Sequence, residues 1–239
     1  MAKRRPSSDR WLRERAKDPY VLAARKAGYR SRAAYKLLEI QERLTKDPQT
    51  GPLIRPGMTI VDLGASPGGW SQIALKLAGP GGRVVAVDRL PMDSLEAQGV
   101  RDKTAITFIL GDFLADETLA SLQDILGGDG LVDLILSDMA PEMTGFKVAD
   151  QGRGEALAES AFQFAELALI PGGAMVVKLF QGPGFHDLIR EARLLFERVK
   201  VIKPKASRGR SPEQYLVALG WRKPEAESDS KPKSQEQPS

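Results

Sequence analysis

A lysine stands in the middle of the apolar run GGAMVVKLFQG, which extends from Gly172 to Gly182. Lysine is seldom fully buried unless it is paired, so Lys178 is a candidate for chemistry at the end of a core strand. An amine acts as a general base only when its pKa falls from about 10.4, which burial or a neighbouring cation brings about. The sequence therefore predicts a proton-accepting role for Lys178.

Carboxylates follow the other predicted strands at the point where each strand ends. Four apolar segments close, in chain order, with Asp62, Asp88, Asp112 and Asp138. One aspartate at a strand end is ordinary turn chemistry. Parallel strands, however, bring their carboxyl ends to one edge of a sheet, and ligands bind there. We therefore expect the four aspartates and Lys178 to line one crevice.

The order of these elements predicts the fold. Continuous apolar runs alternate with helical patterns, which is typical of a parallel sheet covered on both faces. The last two strands are too close in sequence for a helical crossover, so one of them must run antiparallel. We predict a doubly wound α/β domain with a mostly parallel seven-stranded sheet and one antiparallel strand near its edge. The predicted strands cover 58–65, 83–89, 106–113, 131–141, 174–180, 199–204 and 213–221, and the predicted helices cover 31–44, 69–79, 154–170 and 186–199.

A glycine loop, residues 64–69 within VDLGASPGGW, joins the first strand to a helix. Glycines let a ligand approach the backbone, and a helix N-terminus is positive. The loop departs from the G-x-G-x-x-G dinucleotide fingerprint, and Trp70 stands where a P-loop requires lysine. It matches the D-x-G-x-x-x-G loop of S-adenosylmethionine-dependent methyltransferases, which ends here at Gly68. Asp88 could then accept both ribose hydroxyls, and Asp112 could meet the adenine amine.

The net charge of +4 hides an asymmetry along the chain. Residues 1–36 hold twelve Lys or Arg against three Asp or Glu, a net charge of +9, so the remainder carries −5. A second basic block, residues 198–210, has six Lys or Arg and no acid. Two concentrated basic regions on a mildly acidic body predict a polyanion partner, RNA or DNA, held through its phosphates.

The composition excludes several kinds of site. Among the 239 residues there is no cysteine, which excludes disulfides, thiolate zinc sites and cysteine nucleophiles, and there is one histidine, His186. No apolar run approaches the roughly 18 residues that span a bilayer, and the basic N-terminus lacks the apolar stretch of a signal peptide. We therefore expect a cytoplasmic protein without metal. We predict a basic mobile arm at 1–18, a single domain at 19–221 and a disordered polar tail at 222–239.

Five motifs occur in order along the chain: SRAAYKLLEI, VDLGASPGGWSQ, VDLILSDMAP, VVKLFQG and SPEQYLVALG. Together they resemble the FtsJ-like ribose 2′-O-methyltransferase family over residues 20–221. The resemblance implies a Rossmann-like methyltransferase fold, the cofactor S-adenosyl-L-methionine, and a catalytic set made of Lys36, Asp138, Lys178 and Glu213. It also implies cofactor contacts at Gly68, Trp70, Asp88, Asp112 and Asp138.

The implied roles answer a chemical need, because a ribose hydroxyl is a poor nucleophile at neutral pH. Positioning can contribute several kcal/mol, and a general base roughly 10²–10⁴-fold in rate. We expect Lys178 to accept the proton and Asp138 to orient it near the transferring methyl group. Lys36, which flanks an apolar helical stripe, and Glu213 should position the ribose and the Lys178 side chain. His186 is expected at a helix start without a catalytic role.

The substrate that the resemblance implies is a uridine of 23S ribosomal RNA on the assembled large subunit, and we expect a monomeric enzyme. Arginines and lysines of the two basic regions would hold RNA phosphates, and Tyr20, Tyr29 or Tyr35 could stack on bases. A methyltransferase acting on transfer RNA or on an RNA cap would share the catalytic set. A non-catalytic RNA-binding assembly factor is a second alternative, which the intact catalytic set disfavours. A nucleotide-dependent oxidoreductase or NTPase is disfavoured by the broken fingerprints.

Overall fold

The computed structural model of the protein describes residues 18–95, 105–128, 130–209 and 211–222. The predicted N-terminal arm and C-terminal tail lie outside the described residues, except for Asp18 and Arg222 at their borders.

Within this part of the chain, seven strands form one sheet. They are β1 (Thr59–Leu63), β2 (Arg83–Asp88), β3 (Ile106–Leu110), β4 (Val132–Ser137), β5 (Leu169–Phe180), β6 (Phe196–Ile202) and β7 (Glu213–Trp221). Across the sheet the order is β3-β2-β1-β4-β5-β7-β6. β7 runs antiparallel to both of its neighbours, and the other pairs are parallel. The prediction of a mostly parallel seven-stranded sheet with one antiparallel strand near its edge is confirmed.

Helices cover both faces of the sheet. The described residues form α1 (Pro19–Lys26), α2 (Ala33–Lys46), α3 (Gly69–Ala78), α4 (Asp116–Leu126), α5 (Lys147–Ala168) and α6 (Phe185–Leu195). On one face Leu37 of α2 and Ile73 of α3 pack into a common apolar core. On the other face α4, α5 and α6 contribute Leu122, Phe162 and Leu188 to a second core. The domain is therefore a three-layer α/β sandwich.

Helical periodicity placed some element ends wrongly. α6 stops before residue 199 because Phe196 begins β6, where its ring packs against Trp221 with centroids 5.0 Å apart. α5 begins at Lys147, earlier than predicted, and it ends ahead of Pro171, whose ring disfavours helical backbone in the preceding residue. α1 and α4 had no predicted counterpart. At the end of α6, packing across the sheet rather than helical periodicity fixes the boundary.

The sheet brings the predicted site residues to one edge. β1 and β4 are neighbours at the point where the strand order reverses, which opens a crevice at the carboxyl ends of the strands. Because β7 is antiparallel, its first residue, Glu213, lies at that same edge and pairs with Phe180 of β5. The same register places Tyr215 beside Lys178. The antiparallel strand therefore adds a carboxylate and a phenol to a crevice made by parallel strands.

Candidate active site

The four side chains predicted to form a catalytic set lie in contact. Lys178 Nζ lies 2.5 Å from Asp138 Oδ1 and donates a second hydrogen bond to the Asp138 carbonyl oxygen at 2.7 Å. Lys36 Nζ lies 3.0 Å from Glu213 Oε1 and 3.7 Å from Asp138 Oδ1. Cations and anions therefore alternate in one chain, Lys178–Asp138–Lys36–Glu213, which we call the catalytic cluster after the role that the family resemblance implies for it.

Both lysines of the catalytic cluster are buried, each with only 7% of its surface exposed. Lys36 lies on α2 between the buried residues Ala34 and Leu37. Lys178 lies on the face of β5 that α2 and α3 cover, whereas Leu179 packs into the core on the opposite face. A buried charge is tolerated when it is paired and hydrogen-bonded, and the two carboxylates of the cluster supply those partners.

Asp138 is the centre of the cluster. Burial raises the pKa of its carboxyl group, but the charges of Lys178 and Lys36 and the hydrogen bonds from Lys178 and Tyr215 outweigh burial, so the pKa lies below its usual value. Asp138 is therefore a carboxylate at neutral pH. An anion held between two ammonium groups can orient both of them toward a substrate that enters the crevice.

Tyr215 is a fifth member of the site that the sequence did not predict. Its hydroxyl accepts a hydrogen bond from Lys36 Nζ at 2.7 Å and donates one to Asp138 Oδ1 at 2.6 Å. Burial, followed by the charges of Asp138 and Glu213, raises the pKa of the phenol well above its usual value. The hydroxyl therefore keeps its proton and bridges a cation to an anion. A tyrosine two residues after Glu213 on an apolar strand was the available signal.

The glycine loop approaches its neighbours closely at two positions with positive φ. Gly64 has φ +75°, and a Cβ there would lie 2.9 Å from the backbone that follows β4. Gly68 has φ +100°, and a Cβ there would lie 2.8 Å from Met92 Sδ. The backbone N–H of Ser66 donates to Asp88 Oδ2 at 2.8 Å. The loop therefore presents bare backbone beside the half-buried Asp88 carboxylate.

The other two predicted cofactor residues are placed differently from each other. Asp112 follows β3 with 48% of its side chain exposed, and Arg89 Nε lies 3.7 Å from its Oδ2. Trp70 is buried, its indole N–H donates to the Ala33 carbonyl at 2.8 Å, and its ring lies 5.4 Å from that of Tyr215. The Trp70 side chain therefore joins α3 to α2, and its backbone, at the N-terminus of α3, is the part that borders the glycine loop.

Asp62 lies beneath the glycine loop and is fully buried. Its Oδ2 accepts a hydrogen bond from Ser71 Oγ at 2.6 Å, while its Oδ1 has no hydrogen-bond partner among the described residues. Burial raises the pKa of Asp62 to about 7, and the charges of Asp138 and Asp88 add to this, against the Ser71 hydrogen bond. The expectation that Asp62 lines the crevice is wrong, because the residue is fully buried and has no exposed surface.

A basic pocket lies on the surface where α1, α2 and the segment before β7 meet. Its lining includes Asp18, Tyr20, Arg32, Lys205, Ser207 and Arg208. Arg32 forms an ion pair with Asp18, and Arg208 Nε lies 3.9 Å from Asp18 Oδ2. Burial, followed by the adjacent Arg208, lowers the pKa of Arg32, and the charge of Glu213 in the catalytic cluster opposes this. The guanidinium groups of Arg32 and Arg208 therefore share the Asp18 carboxylate, close to the catalytic cluster.

The remaining residues predicted to face RNA lie in two separate places and contact other parts of the protein. Arg198 and Lys200 lie on β6 and bind the segment after α2, through a backbone carbonyl and a carboxylate respectively. The three tyrosines near the N-terminus pack on one another, with Tyr35 ring centroids 5.6 Å from Tyr20 and 5.5 Å from Tyr29. The basic block is therefore not one continuous patch, and only its part beyond β6 lines the basic pocket.

Neither a metal-binding cluster nor a membrane-spanning helix occurs in the part of the chain that the structure describes. Those residues contain no group of three or more His, Cys, Asp or Glu side chains placed to hold a metal ion. Nor does any described helix have the length and apolar character needed to cross a membrane. His186 is the second residue of α6, where it is exposed and its ring lies 5.4 Å from that of Phe185.

The sequence is similar to known methyltransferases along most of its length. The family model described as FtsJ-like methyltransferase matches residues 29–221. A protein from Magnetococcus marinus named ribosomal RNA large subunit methyltransferase E is 56% identical over 222 residues, which cover 93% of this chain and 100% of that protein. A protein of the same name from Pseudomonas aeruginosa is 48% identical over 219 residues, which cover 92% of this chain and 98% of that protein.

Solved structures share the fold. A crystal structure of a Plasmodium falciparum protein described as a ribosomal RNA methyltransferase has a TM-score of 0.65 and 28% identity, covering 81% of this chain and 98% of that one. The crystal structure of Aeropyrum pernix fibrillarin has a TM-score of 0.53 and 20% identity, covering 78% of this chain and 76% of that one. With the family model matching nearly all of the described domain, this chain belongs to the FtsJ-like methyltransferase family.

Proposed function

We propose that the protein transfers a methyl group from S-adenosyl-L-methionine to the ribose 2′-hydroxyl of a uridine in 23S ribosomal RNA, within the assembled large subunit. The observation that carries this proposal is the catalytic cluster, in which two buried ammonium groups alternate with two carboxylates beside the glycine loop. The names of the bacterial relatives support a ribosomal RNA substrate, and the family resemblance supports ribose and uridine. We place the enzyme in the cytoplasm as a monomer that requires no metal.

The residues around the glycine loop fit the proposed cofactor. A Cβ at Gly64 or Gly68 would collide with neighbouring segments, so the loop offers backbone in place of side chains where the methionine part would lie. In this proposal Asp88 accepts from the ribose hydroxyls, and the exposed Asp112 accepts from the adenine amine. Trp70 contributes through its backbone. When bound, S-adenosyl-L-methionine supplies an electrophilic methyl group on its sulfonium.

Lys178 is the proton acceptor in the proposed reaction. Lys178 would take the proton of the ribose hydroxyl while the methyl group passes to the ribose oxygen and its bond to the sulfonium breaks, which would leave a neutral thioether on the cofactor. In the free enzyme Lys178 donates two hydrogen bonds to Asp138, which hold its Nζ at a fixed position in the crevice. Lys36 lies beside the same carboxylate.

The other members of the cluster position the reacting groups. Asp138 fixes the direction of the Lys178 amine, and Tyr215 fixes Asp138 from the other side. Lys36 Nζ contacts Glu213 at 3.0 Å and donates to the Tyr215 hydroxyl at 2.7 Å. Its third N–H is left to bind the ribose. Orientation of this kind generally lowers the activation barrier by several kcal/mol. It requires no movement of the buried strands.

RNA enters from the side of the basic pocket in this proposal. Arg32 and Arg208 hold a phosphate there, and Asp18 occupies their guanidinium groups until the phosphate replaces it. Arginine suits this task because its planar fork binds phosphate in a bidentate manner. Phosphate contacts fix the register of the RNA without reading its sequence, so the choice of nucleotide must come from the shape of the crevice.

The experiment that tests the function is methyl transfer from labelled S-adenosylmethionine. The substrates are large ribosomal subunits from a strain lacking this activity, deproteinised 23S ribosomal RNA, and transfer RNA. We expect label in the large subunit, mapped to the 2′-oxygen of a uridine, with Lys178→Ala as the inactive control. Label only in transfer RNA would mean that transfer RNA, and not ribosomal RNA, is the substrate. Label in none of the three would exclude catalysis on these RNAs and favour an assembly factor.

A further inference from the structure

We propose that Arg30 is a positioning residue for the cofactor site: its guanidinium holds together the two loops between which S-adenosylmethionine would bind. The two loops are the glycine loop after β1 and residues 89–94 after β2, here called the second loop. This inference rests on the proposed function, because it assumes that the glycine loop binds that cofactor. It assigns a side chain from the basic N-terminal region to the cofactor rather than to RNA.

The guanidinium of Arg30 donates to three backbone carbonyls. Nη1 donates to the Pro67 carbonyl in the glycine loop at 3.2 Å and to the Asp93 carbonyl in the second loop at 2.5 Å. Nη2 donates to the Ser94 carbonyl at 2.5 Å. One planar group therefore spans both loops, and a hydrogen bond from a charged donor is stronger than a neutral one.

The backbone around Arg30 is fixed to the same region, so its side chain starts from a defined position. The Arg30 N–H donates to Gln72 Oε1 at 3.2 Å, and Gln72 Nε2 donates to the Gly28 carbonyl at 2.9 Å. Gln72 lies on α3, directly after the glycine loop. The segment before α2 and the helix after the loop therefore form one unit, with Arg30 extending from it over the loop.

Ser66 also connects the glycine loop to this region. Its Oγ donates to the Pro91 carbonyl at 3.0 Å, and its N–H donates at 2.8 Å to Asp88 Oδ2, directly before the second loop. Arg30 differs from these contacts because one charged group reaches both loops. A Cβ at Gly68 would lie 3.0 Å from Arg30 Cδ as well as 2.8 Å from Met92 Sδ, so the arginine stem is packed directly on the loop backbone. Arg30 both covers the glycine loop and ties it to the second loop.

The hydrogen bonds of Arg30 argue against a role in holding RNA phosphate. Its position within a segment of charge +9 suggests such a role, and Arg32, two residues later, lines the basic pocket. Three of the five N–H donors of an arginine are already given to carbonyls in Arg30, whereas Arg32 pairs with a carboxylate that a phosphate could replace. The two arginines therefore serve different ligands.

The test measures cofactor and RNA affinity separately in the full-length protein. Arg30→Ala should weaken S-adenosylmethionine binding, measured by calorimetry without RNA, by about tenfold or more, as expected when charged hydrogen bonds are lost. Arg30→Lys should not restore it, because an ammonium group cannot span three carbonyls in a plane. The KM for the cofactor should rise and the KM for RNA should stay within about twofold. Arg193→Ala, which removes the same charge from the exposed end of α6, is the matched control and should leave both unchanged.

The opposite pattern would overturn the inference. If Arg30→Ala keeps cofactor affinity and instead lowers the salt dependence of RNA binding by about one phosphate contact, Arg30 binds RNA. Should Arg30→Ala not fold, judged by its melting curve, Arg30→Lys carries the comparison. If the native protein itself shows no affinity for S-adenosylmethionine, the proposed function fails first; if the native protein binds and Arg30→Lys binds equally, only the role of Arg30 fails.

Discussion

The hydroxyl of Tyr215 donates a hydrogen bond to Asp138 Oδ1 at 2.6 Å. The same hydroxyl accepts one from Lys36 Nζ at 2.7 Å, so the phenol connects the two halves of the catalytic cluster. Its ring is fully buried against Trp70, which fixes the position of the hydroxyl. The side chain therefore contributes to the core and to the site with different atoms.

Tyr215→Phe separates these two contributions, because it keeps the ring and removes the hydroxyl. We expect methyl transfer to slow by roughly 10–100-fold, since a hydrogen bond to a charged group contributes about 1.5–3 kcal/mol. The pKa of Asp138 should rise, because one of the hydrogen bonds that lower it is lost. Single-turnover transfer from labelled cofactor measures the rate.

The control for this prediction is Tyr29→Phe, which removes a phenol hydroxyl from the tyrosine group outside the catalytic cluster. It should retain activity within about twofold. A Tyr215→Phe enzyme with the native single-turnover rate would mean that Lys36 and Asp138 hold their positions without the bridge.

Lys178 can be tested for proton transfer as distinct from charge. Lys178→Ala should keep cofactor binding and lose transfer by at least about 10²-fold, the lower range for a general base. Lys178→Arg keeps a cation but cannot release its proton, so it should be equally inactive. The surface variant Lys76→Ala should behave as the native enzyme. An active Lys178→Arg enzyme would show that this position only steers the hydroxyl, and it would contradict a proton-accepting role.

The fold could be predicted because its signals are local. The strands β1 to β5 are apolar runs that end in or near an aspartate or a lysine, and the spacing of the last two strands predicted that one of them runs antiparallel. Element ends were less predictable, because Phe196 obeys helical periodicity in sequence but packs against Trp221 in a strand. Helical periodicity indicates the secondary structure that a segment can form alone. Pairing across the sheet decides which secondary structure it adopts.

The site was predictable only in part, for a similar reason. Lys178 is conspicuous because a charge interrupts an apolar strand. Tyr215 and Arg30 are not, since a tyrosine in a strand is typical of a core, and an arginine in a basic segment is typical of phosphate binding. Their roles depend on partners far away in sequence, such as Asp138 and Pro67, which no local pattern contains.

Asp18 should compete with RNA for the basic pocket. Asp18→Asn keeps an oxygen that can cap α1, where Asp18 Oδ1 accepts from the Tyr20 N–H at 3.0 Å, but removes the negative charge beside Arg32. We expect tighter RNA binding at low salt by several-fold, because the phosphate no longer has to displace a carboxylate, and a steeper decline of affinity with salt because the pocket is more positive. Binding titrations at several salt concentrations measure both.

The control for the pocket is Asp187→Asn, which removes an exposed carboxylate paired with Arg190 on α6. It lies on an element that contributes no residue to the pocket lining. Its RNA affinity should stay within about twofold of native. Equal gains in both variants would indicate a general effect of net charge, and not an exchange of Asp18 for phosphate.

Asp62 predicts how stability depends on pH. Its pKa is about 7 in the folded chain because of burial, against about 3.9 for an unperturbed aspartate. The folded state therefore holds a proton that the unfolded state has released between about pH 4 and pH 7, so this residue lowers stability as pH rises through that window, by at most about 1.4 kcal/mol per unit. Asp62→Asn removes the titration. Its melting temperature relative to native should rise from pH 5 to pH 8, and a difference that stays constant would contradict the prediction. Ser71→Ala deletes the hydrogen bond that lowers the Asp62 pKa, so its loss of stability relative to native should grow with pH.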